Sequence, residues 1–585
     1  MESIPYRRFL SKDFQVKYNT TLMSNADENF PPDLFECRYF SESSVTDGLE
    51  PLFREWCPDH PVFIDAGTGC GKSHFVLNSL IPWVEENMGS MLIVTNRIAL
   101  ANQYKVDFLK RVGFNALAGV IPEKEGPVTL GVVTFSSYQS LPSIFKQQED
   151  HKAEPYSMVV FDECHWFGAD ALFARNTGWI LSKIPPVFQK SIRIYMSATP
   201  WLSRFLIVDN ENQLPLPLLN RMEAIYNRNP LQNFGFSPQS QRFRMLYYSF
   251  PPVLRHYSLK ILPSILRRNL CKKELRSLIE STKSSEKWLI FVESKKQGTA
   301  LADTLTDAVY LDASRKDGPV WKQITQESKF SPRILISTSV LDCGVNLHDD
   351  ALKHVLILST DHTCFMQELG RKRMKKGEVV NLYVPDLSQA DLEKIQSQNA
   401  SLMQRIMSFP DLSPKEVITL KMRLWEETST VERHIFPLNP AGDISINPCA
   451  SWAIFQRDLF YQKLQEAFDS GEEHPFPLVV NQWLGITAPL SPDQFLEDRP
   501  KDHMQALTDF LSKHLGKELA TDDEQTTFAD TFRLLRNKAY GKRKNDNVSR
   551  HWGSRIINGE FTDLQLPFSL KDNGSSWILK SASEL

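Results

Sequence analysis

Short apolar runs recur along the first two-thirds of the chain, at 62–65, 91–95, 130–135, 158–161 and 192–196. Helix-like spacing fills the intervals between them. The runs are mostly apolar at consecutive positions, which predicts strands covered on both faces. Strands alternating with helices predict a parallel sheet. The rhythm resumes at 288–292, 309–311, 334–337, 355–358 and 379–384. The pattern therefore predicts an α/β fold made of two similar units in tandem.

After Pro385 the pattern changes. The segment 388–424 has helical spacing, with Leu392, Ile395, Leu402, Ile406 and Met407 among its apolar positions, and a second amphipathic stretch covers 452–468. This predicts a mainly helical accessory region. Between the two α/β units, 201–286 carries Pro-rich pieces and the aromatic run Tyr247-Tyr248-Ser249-Phe250, and reads as a helical tether with a strand extension. The boundaries that follow are an N-terminal extension at 1–57, a first α/β domain at 58–200, a linker or insert at 201–286, a second α/β domain at 287–386 and the accessory region at 387–585.

Composition narrows the class. A chain of 585 residues, 42% hydrophobic and 23% charged, is long enough for several cores of ordinary globular type. It shows no apolar run near the roughly 18 residues of a membrane span and no secretory leader, so no membrane partner and a cytoplasmic location are expected. The 8 cysteines form no C-x-x-C pair, which excludes a zinc ribbon and fits a reducing compartment. A net charge of -3 argues against a basic nucleic-acid coat but not against a local groove that tracks a backbone.

Candidate chemistry begins at Ala66-Gly67-Thr68-Gly69-Cys70-Gly71-Lys72-Ser73, between the 62–65 strand and a helix-like segment. Strand, Gly-rich loop and helix are the context of a phosphate-binding loop. Glycines let the backbone N–H groups point inward at phosphate oxygens, and the helix adds its positive end. Lys72 then neutralises the β/γ-phosphates and the Ser73 hydroxyl holds Mg²⁺, which makes ATP and Mg²⁺ the expected cofactors. Cys70 inside the loop predicts sensitivity of nucleotide binding to thiol alkylation.

Three later segments sharpen this. The 158–161 strand leads into Asp162-Glu163-Cys164-His165, where Asp162 can reach the metal and Glu163 can deprotonate an attacking water. Ser197-Ala198-Thr199 ends the strand at 192–196, beside those acids on one sheet edge. Gln367-Glu368-Leu369-Gly370-Arg371-Lys372-Arg373 lies in the second unit. An arginine supplied by a neighbouring domain stabilises transferring phosphoryl charge by about 10³–10⁵ in rate.

Together, AGTGCGKS, DECH, SAT and QxxGR resemble superfamily 2 helicases and translocases of the DExH type, over about 62–385. Weaker segments follow in the family's order: Thr95-Asn96-Arg97-Ile98-Ala99-Leu100, Thr134-Phe135-Ser136-Ser137-Tyr138-Gln139, Phe291-Val292-Glu293-Ser294, and the run from Ser337 through Asp342, Gly344 and Asn346. The resemblance implies two RecA-like P-loop domains with ATP between them. It implies that Gln367 and Arg371, with Arg373, contact the γ-phosphate, and that His165, Ser197, Thr199, Asp342 and Gly344 couple nucleotide state to movement. A structural role for His165 stays open. It also implies that Arg97, Thr134, Ser294 and Thr338 hold sugar-phosphate rather than bases, so that binding is sequence-tolerant. The family pattern places a second arginine where Met374 stands, and Arg373 is the substitute one residue earlier.

Near the C-terminus, Arg533, Arg536, Lys538, Lys542, Arg543, Lys544, Arg550 and Arg555 cluster with Tyr540, His551 and Trp552. This is either a nucleic-acid contact or a solvated helix end. Turn-forming Ile557-Asn558-Gly559 and Asn573-Gly574 predict a small hairpin in a winged-helix-like tail. The region also offers a surface for a protein partner. The reading is an ATP-dependent helicase acting on nucleic acid, DNA ahead of RNA. Two alternatives stand beside it: a double-strand translocase that remodels without unwinding, and a nucleotide-gated nucleic-acid-binding switch with weak hydrolysis.

Overall fold

A computed structural model of the chain describes residues 35–41, 43–114, 126–212, 245–251, 256–312, 314, 318–338, 341, 345–375, 377–409, 412–426, 431–438, 442–486, 488–496, 500–540, 552–564 and 566–581. Among them, eight strands form the first sheet: β1 (Phe35–Tyr39), β2 (Val62–Asp65), β3 (Met91–Thr95), β4 (Val128–Leu130), β5 (Val133–Ser137), β6 (Met158–Asp162), β7 (Ile192–Ser197) and β8 (Met245–Ser249). Their order is β1-β8-β2-β7-β6-β3-β5-β4, with every pair parallel except β4–β5. Every residue of β3, β6 and β7 is buried, as a parallel sheet covered on both faces requires.

The second sheet takes β9 (His256–Leu262), β10 (Lys287–Phe291), β11 (Ala308–Leu311), β12 (Ile334–Ser337), β13 (Leu352–Ile357) and β14 (Val379–Pro385), in the order β11-β12-β10-β13-β14-β9. All of its pairs are parallel. The fold is thus the expected α/β fold with two parallel sheets in tandem. The segment between them does more than tether: β8 joins the first sheet and β9 the second, while β1 from the N-terminal segment pairs with β8.

Five helices organise the rest of this unit for function. They are α1 (Ile98–Arg111), α2 (His362–Leu369), α3 (Gln389–Ser408), α4 (Pro448–Asp469) and α5 (Pro475–Trp483). Helix α4 begins with Asn447 as N-cap, its side chain accepting from Cys449 N–H, and Pro448 at the first helical position. Its 22 residues span about 33 Å. Trp452 and Phe455 of its first half belong to the apolar cluster under the first sheet, with Phe161 and Tyr195. Tyr461, Leu464 and Ala467 of its second half belong to the cluster under the second sheet, with Leu289 and Val355. One helix therefore spans both lobes.

Residues 496–585 form a separate compact unit. Its described elements run α6 (Pro500–His514), β15 (Glu518–Leu519), α7 (Asp522–Tyr540), α8 (Ser554–Asp563), β16 (Phe568–Asp572) and β17 (Trp577–Ser581). The antiparallel sheet has the order β15-β17-β16, which with this element sequence is a winged-helix arrangement. Leu511, Phe528, Phe532, Phe561 and Leu579 fill its core. Asn573-Gly574 closes the β16–β17 hairpin as expected, with Gly574 at φ +85°. Ile557-Asn558-Gly559 does not turn but lies inside α8, because Ile557 is buried and the Asn558 side chain bonds both backbone groups of Leu570. In the basic stretch, Arg536 is buried against Glu560 at 2.8 Å, whereas Arg555 is exposed. Lys542, Arg543, Lys544, Arg550 and His551 lie outside the described residues. No described helix is long and apolar enough to cross a membrane.

Candidate nucleotide-binding site

Strand order explains why residues 100 positions apart meet. β2, β7 and β6 are neighbours, so the 66–73 loop, the Ser197–Thr199 segment and the Asp162-Glu163 pair leave adjacent strand ends. Parallel sheets place their sites there. Gly69 and Gly71 sit at φ +92° and +86°, left-handed values that a side chain would strain. The chain then enters the helix Lys72–Phe75, which widens into a π turn at Val76–Leu80 and continues through Ile81–Glu86.

A cavity of about 240 Å³ opens over this loop, lined by Thr68, Gly69, Gly71, Lys72 and Ser73, by Asp162 and Glu163, and from the second lobe by Asn346, Arg371 and Arg373. Lys72 Nζ is folded onto the loop, donating to the carbonyls of Ala66 at 2.6 Å and Gly67 at 3.2 Å. An anion at the loop offers that ammonium a stronger acceptor. Asp65 at the root of the loop accepts from Tyr247 of β8 at 2.5 Å, with Arg204 4.0 Å away. Cys70 points away from the cavity: it is 3% exposed, packs in the core with Phe75 and Val76, and its thiol faces the Pro251 carbonyl. Burial corrects the expectation that alkylation there would reach the nucleotide site readily.

The two acids are held differently. Asp162 is buried; the phenol of Tyr104 in α1 donates to its Oδ2 at 2.7 Å, and Glu163 N–H donates to its Oδ1 at 2.9 Å. Burial, and then the neighbouring Glu163 charge, push its carboxyl up to about 6. For Glu163 burial works upward too, but His165, Lys72 and Arg371 outweigh it and hold the carboxyl down to about 2. Glu163 therefore stays ionised while Asp162 is the acid that a cation must claim. Glu163 also adopts φ +53°, a left-handed conformation costing about 1 kcal/mol for a non-glycine residue. Such strain concentrates at functional sites.

From Glu163 a chain of polar contacts crosses to the second lobe. His165 Nδ1 lies 3.1 Å from Glu163 Oε2 and 3.2 Å from the Ser197 hydroxyl. Ser197 Oγ accepts from Thr199 N–H at 3.0 Å. Gln367 Nε2 donates to Thr199 Oγ1 at 3.1 Å, and its Oε1 accepts from Arg371 at 2.7 Å. The chain links the acid end of β6 to the arginine of the other lobe. Arg373 lines the cavity with Nε donating to Asn346 Oδ1 at 2.7 Å, whereas Met374 packs against the second sheet's apolar core.

The residues expected to hold a strand have internal partners. Arg97 pairs with Asp170 at 2.6 Å. Thr134 is buried with its hydroxyl 2.9 Å from that of Thr129. Ser294 caps the helix Lys295–Thr304 by accepting from Gln297 N–H. The Thr338 carbonyl accepts from Ser337 Oγ at 2.9 Å. None of the four lines the cavity. Asp342 and Gly344 lie outside the described residues. Tyr104 and Gln103 on α1, the helix after β3, and Asn346 beyond β12 were not among the candidate site residues read from the sequence; for the first two, a polar or aromatic residue on that helix was the available signal.

The Asp162 carboxylate and the Ser73 hydroxyl both contact the Tyr104 phenol. Two oxygen donors thus converge within a hydrogen bond of one point, a set that suits a hard cation such as Mg²⁺. The described residues contain no cluster of three or more His, Cys, Asp or Glu suited to a metal. Water and phosphate oxygens complete the shell of Mg²⁺ in sites of this kind.

Residues 44–202 match the family described as Type III restriction enzyme, res subunit, a span that includes Lys72, Asp162, Glu163 and Ser197. No curated protein matches the chain. Among solved structures, the Mycobacterium smegmatis helicase Lhr bound to ssDNA and AMP-PNP is similar over 70% of this chain and 61% of its own, at 14% identity and a TM-score of 0.36. This chain spans less than two-thirds of that protein. Mss116p with an NTE and C-tail double deletion, bound to ssRNA and AMP-PNP, is similar over 72% of this chain and 94% of its own, at 12% identity and 0.39. A DEAD box protein from Methanococcus jannaschii gives 62%, 95%, 17% and 0.29. Likenesses at such scores carry no functional argument.

Proposed function

We propose that this chain, whose residues 44–202 match one family model, is an ATPase of the superfamily 2 helicase type that hydrolyses ATP between two RecA-like lobes to move along and unwind nucleic acid. The DExH type is part of this reading. The observation that carries it is the cavity whose walls come from both lobes, with Lys72, Asp162 and Glu163 on one side and Arg371 and Arg373 on the other. Charge on a transferring phosphoryl group needs cations from opposite directions, and this cleft supplies them only when the lobes are together.

In this reading Lys72 and the N–H groups of Gly67 to Ser73 cradle the phosphates. Ser73 and Asp162 hold Mg²⁺, which supplies charge neutralisation when bound. Glu163, ionised at neutral pH, orients a water and takes its proton. Arg371 and Arg373 stabilise the γ-phosphoryl charge, and Gln367 reports its departure through Thr199 and Ser197 to His165. Closing and opening of the lobes then moves the strand, DNA ahead of RNA. The side chains of Arg97, Thr134 and Ser294 require release from their present partners to touch it.

The test is ATP turnover with and without single-stranded DNA, single-stranded RNA and duplex, beside Glu163→Gln, followed by strand displacement. Stimulation by one polymer, lost in the variant, identifies the track. Turnover that never rises above background while ATP binds defeats the motor reading. Stimulation without strand release favours the double-strand translocase.

A further inference from the structure

A second cleft lies where the accessory helices meet both lobes. Trp201 enters it from the first lobe, two residues after Thr199; His362 enters from the start of α2; Gln456, Arg457, Lys463 and Trp483 come from α4 and α5. Its cavity measures about 90 Å³. An engineered cavity of roughly 150 Å³ holds a whole benzene. The cleft therefore has room for one flat ring with its outer edge left in solvent, not for a complete nucleotide.

Its walls suit a flat heterocycle. The His362 imidazole stacks on Trp483 at 4.8 Å and lies 5.8 Å from Trp201. Burial pushes His362 down to about 4, so its ring is neutral at pH 7 and stacks without a charge to solvate. Trp201 is anchored by its Nε1–H donating to Thr363 Oγ1 at 2.9 Å, across the lobes. Gln456 is 2% exposed, yet its Nε2 donor has no hydrogen-bond partner. A buried amide donor left unmatched is costly, and an acceptor arriving in the cleft removes that cost. Arg457 and Lys463 bring two cations to the cleft and Asp361 one acid.

We propose that this cleft seats one base of a single-stranded nucleic acid. The base packs against the Trp201, His362 and Trp483 rings that line the cleft, a carbonyl or ring nitrogen accepts from Gln456 Nε2, and the attached phosphate lies by Arg457 and Lys463. The proposal rests on the motor reading and adds a base-holding subsite to it. A strand base is favoured over a free nucleotide because the cleft is built from the residues that flank the inter-lobe relay. Trp201 follows Thr199, and α2 runs from His362 to Gln367. A base held there senses the same lobe closure that brings Gln367 to Thr199.

The test uses the full chain with a thymidine oligonucleotide carrying a single 5-iododeoxyuridine, moved through successive positions, with a non-hydrolysable ATP analogue present. Ultraviolet cross-linking followed by peptide mapping reads which residue stacks on the iodinated base. Attachment to Trp483 or Trp201 at one register is expected. Trp483→Leu should cut that yield and weaken strand binding about 5–100-fold, the range for loss of one base stack, and Gln456→Met should cut it and weaken binding about 2–10-fold, the range for one neutral hydrogen bond. Affinity for the ATP analogue should hold within twofold. A strand that binds but cross-links only elsewhere, or binds both variants as tightly as the parent, overturns the proposal and leaves the motor reading intact. Free 5-iodouridine monophosphate that labels Trp483 when a bound strand does not overturns the strand assignment and leaves the motor reading intact. No binding by either overturns both.

Discussion

The phenol of Tyr104 donates to Oδ2 of Asp162 at 2.7 Å, and the same hydroxyl contacts the side chain of Ser73. Tyr104 lies in α1, 58 residues before the acid it holds, and is buried. On the other side the Tyr138 hydroxyl donates to the Asp162 carbonyl at 3.0 Å, and Tyr138 stacks on Trp166 at 4.7 Å. Two tyrosines thus fix the strand end from opposite faces. One of them joins the two groups proposed to bind Mg²⁺.

Tyr104→Phe keeps the ring and removes only the hydroxyl. The fold should survive with a loss of about 1 kcal/mol. Asp162 and Ser73 lose their shared partner, so the half-saturating Mg²⁺ concentration for ATP turnover should rise about 3–10-fold with a smaller change in ATP affinity. A Mg²⁺ titration of steady-state hydrolysis decides it; an unchanged curve makes Tyr104 a packing residue alone.

Thr199→Val removes the hydroxyl that accepts from Gln367 while keeping the side chain's shape and the N–H that Ser197 accepts from. ATP affinity and basal turnover should stay within about threefold, because no cavity-lining group changes. Stimulation by nucleic acid should fall about 10-fold or more, an uncoupling of roughly 1.4 kcal/mol. Equal losses in basal and stimulated rates would place Thr199 in catalysis instead of coupling.

Sequence reading reached the two sheets because their strands are buried on both faces and spell continuous apolar runs. Lys72, Asp162 and Arg371, which it picked because phosphate chemistry leaves few choices of residue type, line one cavity. The reading reached β8 only as a strand extension of the tether and did not reach β1, since a strand contributed by a distant segment has no local rhythm to announce it. Tyr104 was hidden for a related reason. Its role depends on where α1 packs over the end of β6, a tertiary relation that helical spacing does not encode. The span of α4 across both lobes was equally illegible, because an amphipathic pattern shows that a face is buried, not against what.

His362 gives a pH prediction. Its folded value near 4 lies below the ordinary 6.5, chiefly through burial. As pH falls from 6.5 toward 4 the unfolded chain takes up a proton that the folded chain refuses, so stability drops over that window. The contribution is intact above pH 6.5. At pH 5 the loss should be about 1–2 kcal/mol for a half-buried ring. His362→Gln should flatten that part of the profile. Urea unfolding of both proteins at pH 7, 6 and 5 checks it; parallel profiles would assign the acid sensitivity to other groups.

Arg373 and Met374 test how this chain departs from the spacing of the superfamily 2 motif it resembles. Arg373 lines the cavity and bonds Asn346, while Met374 packs, half-buried, against the second sheet's core, so the backbone favours Arg373 as the one that reaches the nucleotide. Arg373→Ala should lower ATP turnover about 10²–10³-fold with little change in ATP affinity, as expected for a cation that acts in the transition state. Met374→Arg restores the family's spelling in the wrong place. It should cost about 1–3 kcal/mol of stability by driving a charge against apolar neighbours, without raising turnover. Placed in the Arg373→Ala background, it should not rescue the rate. Rescue there would mean that the loop can rotate by one residue, and that position 374 rather than 373 carries the second arginine's role.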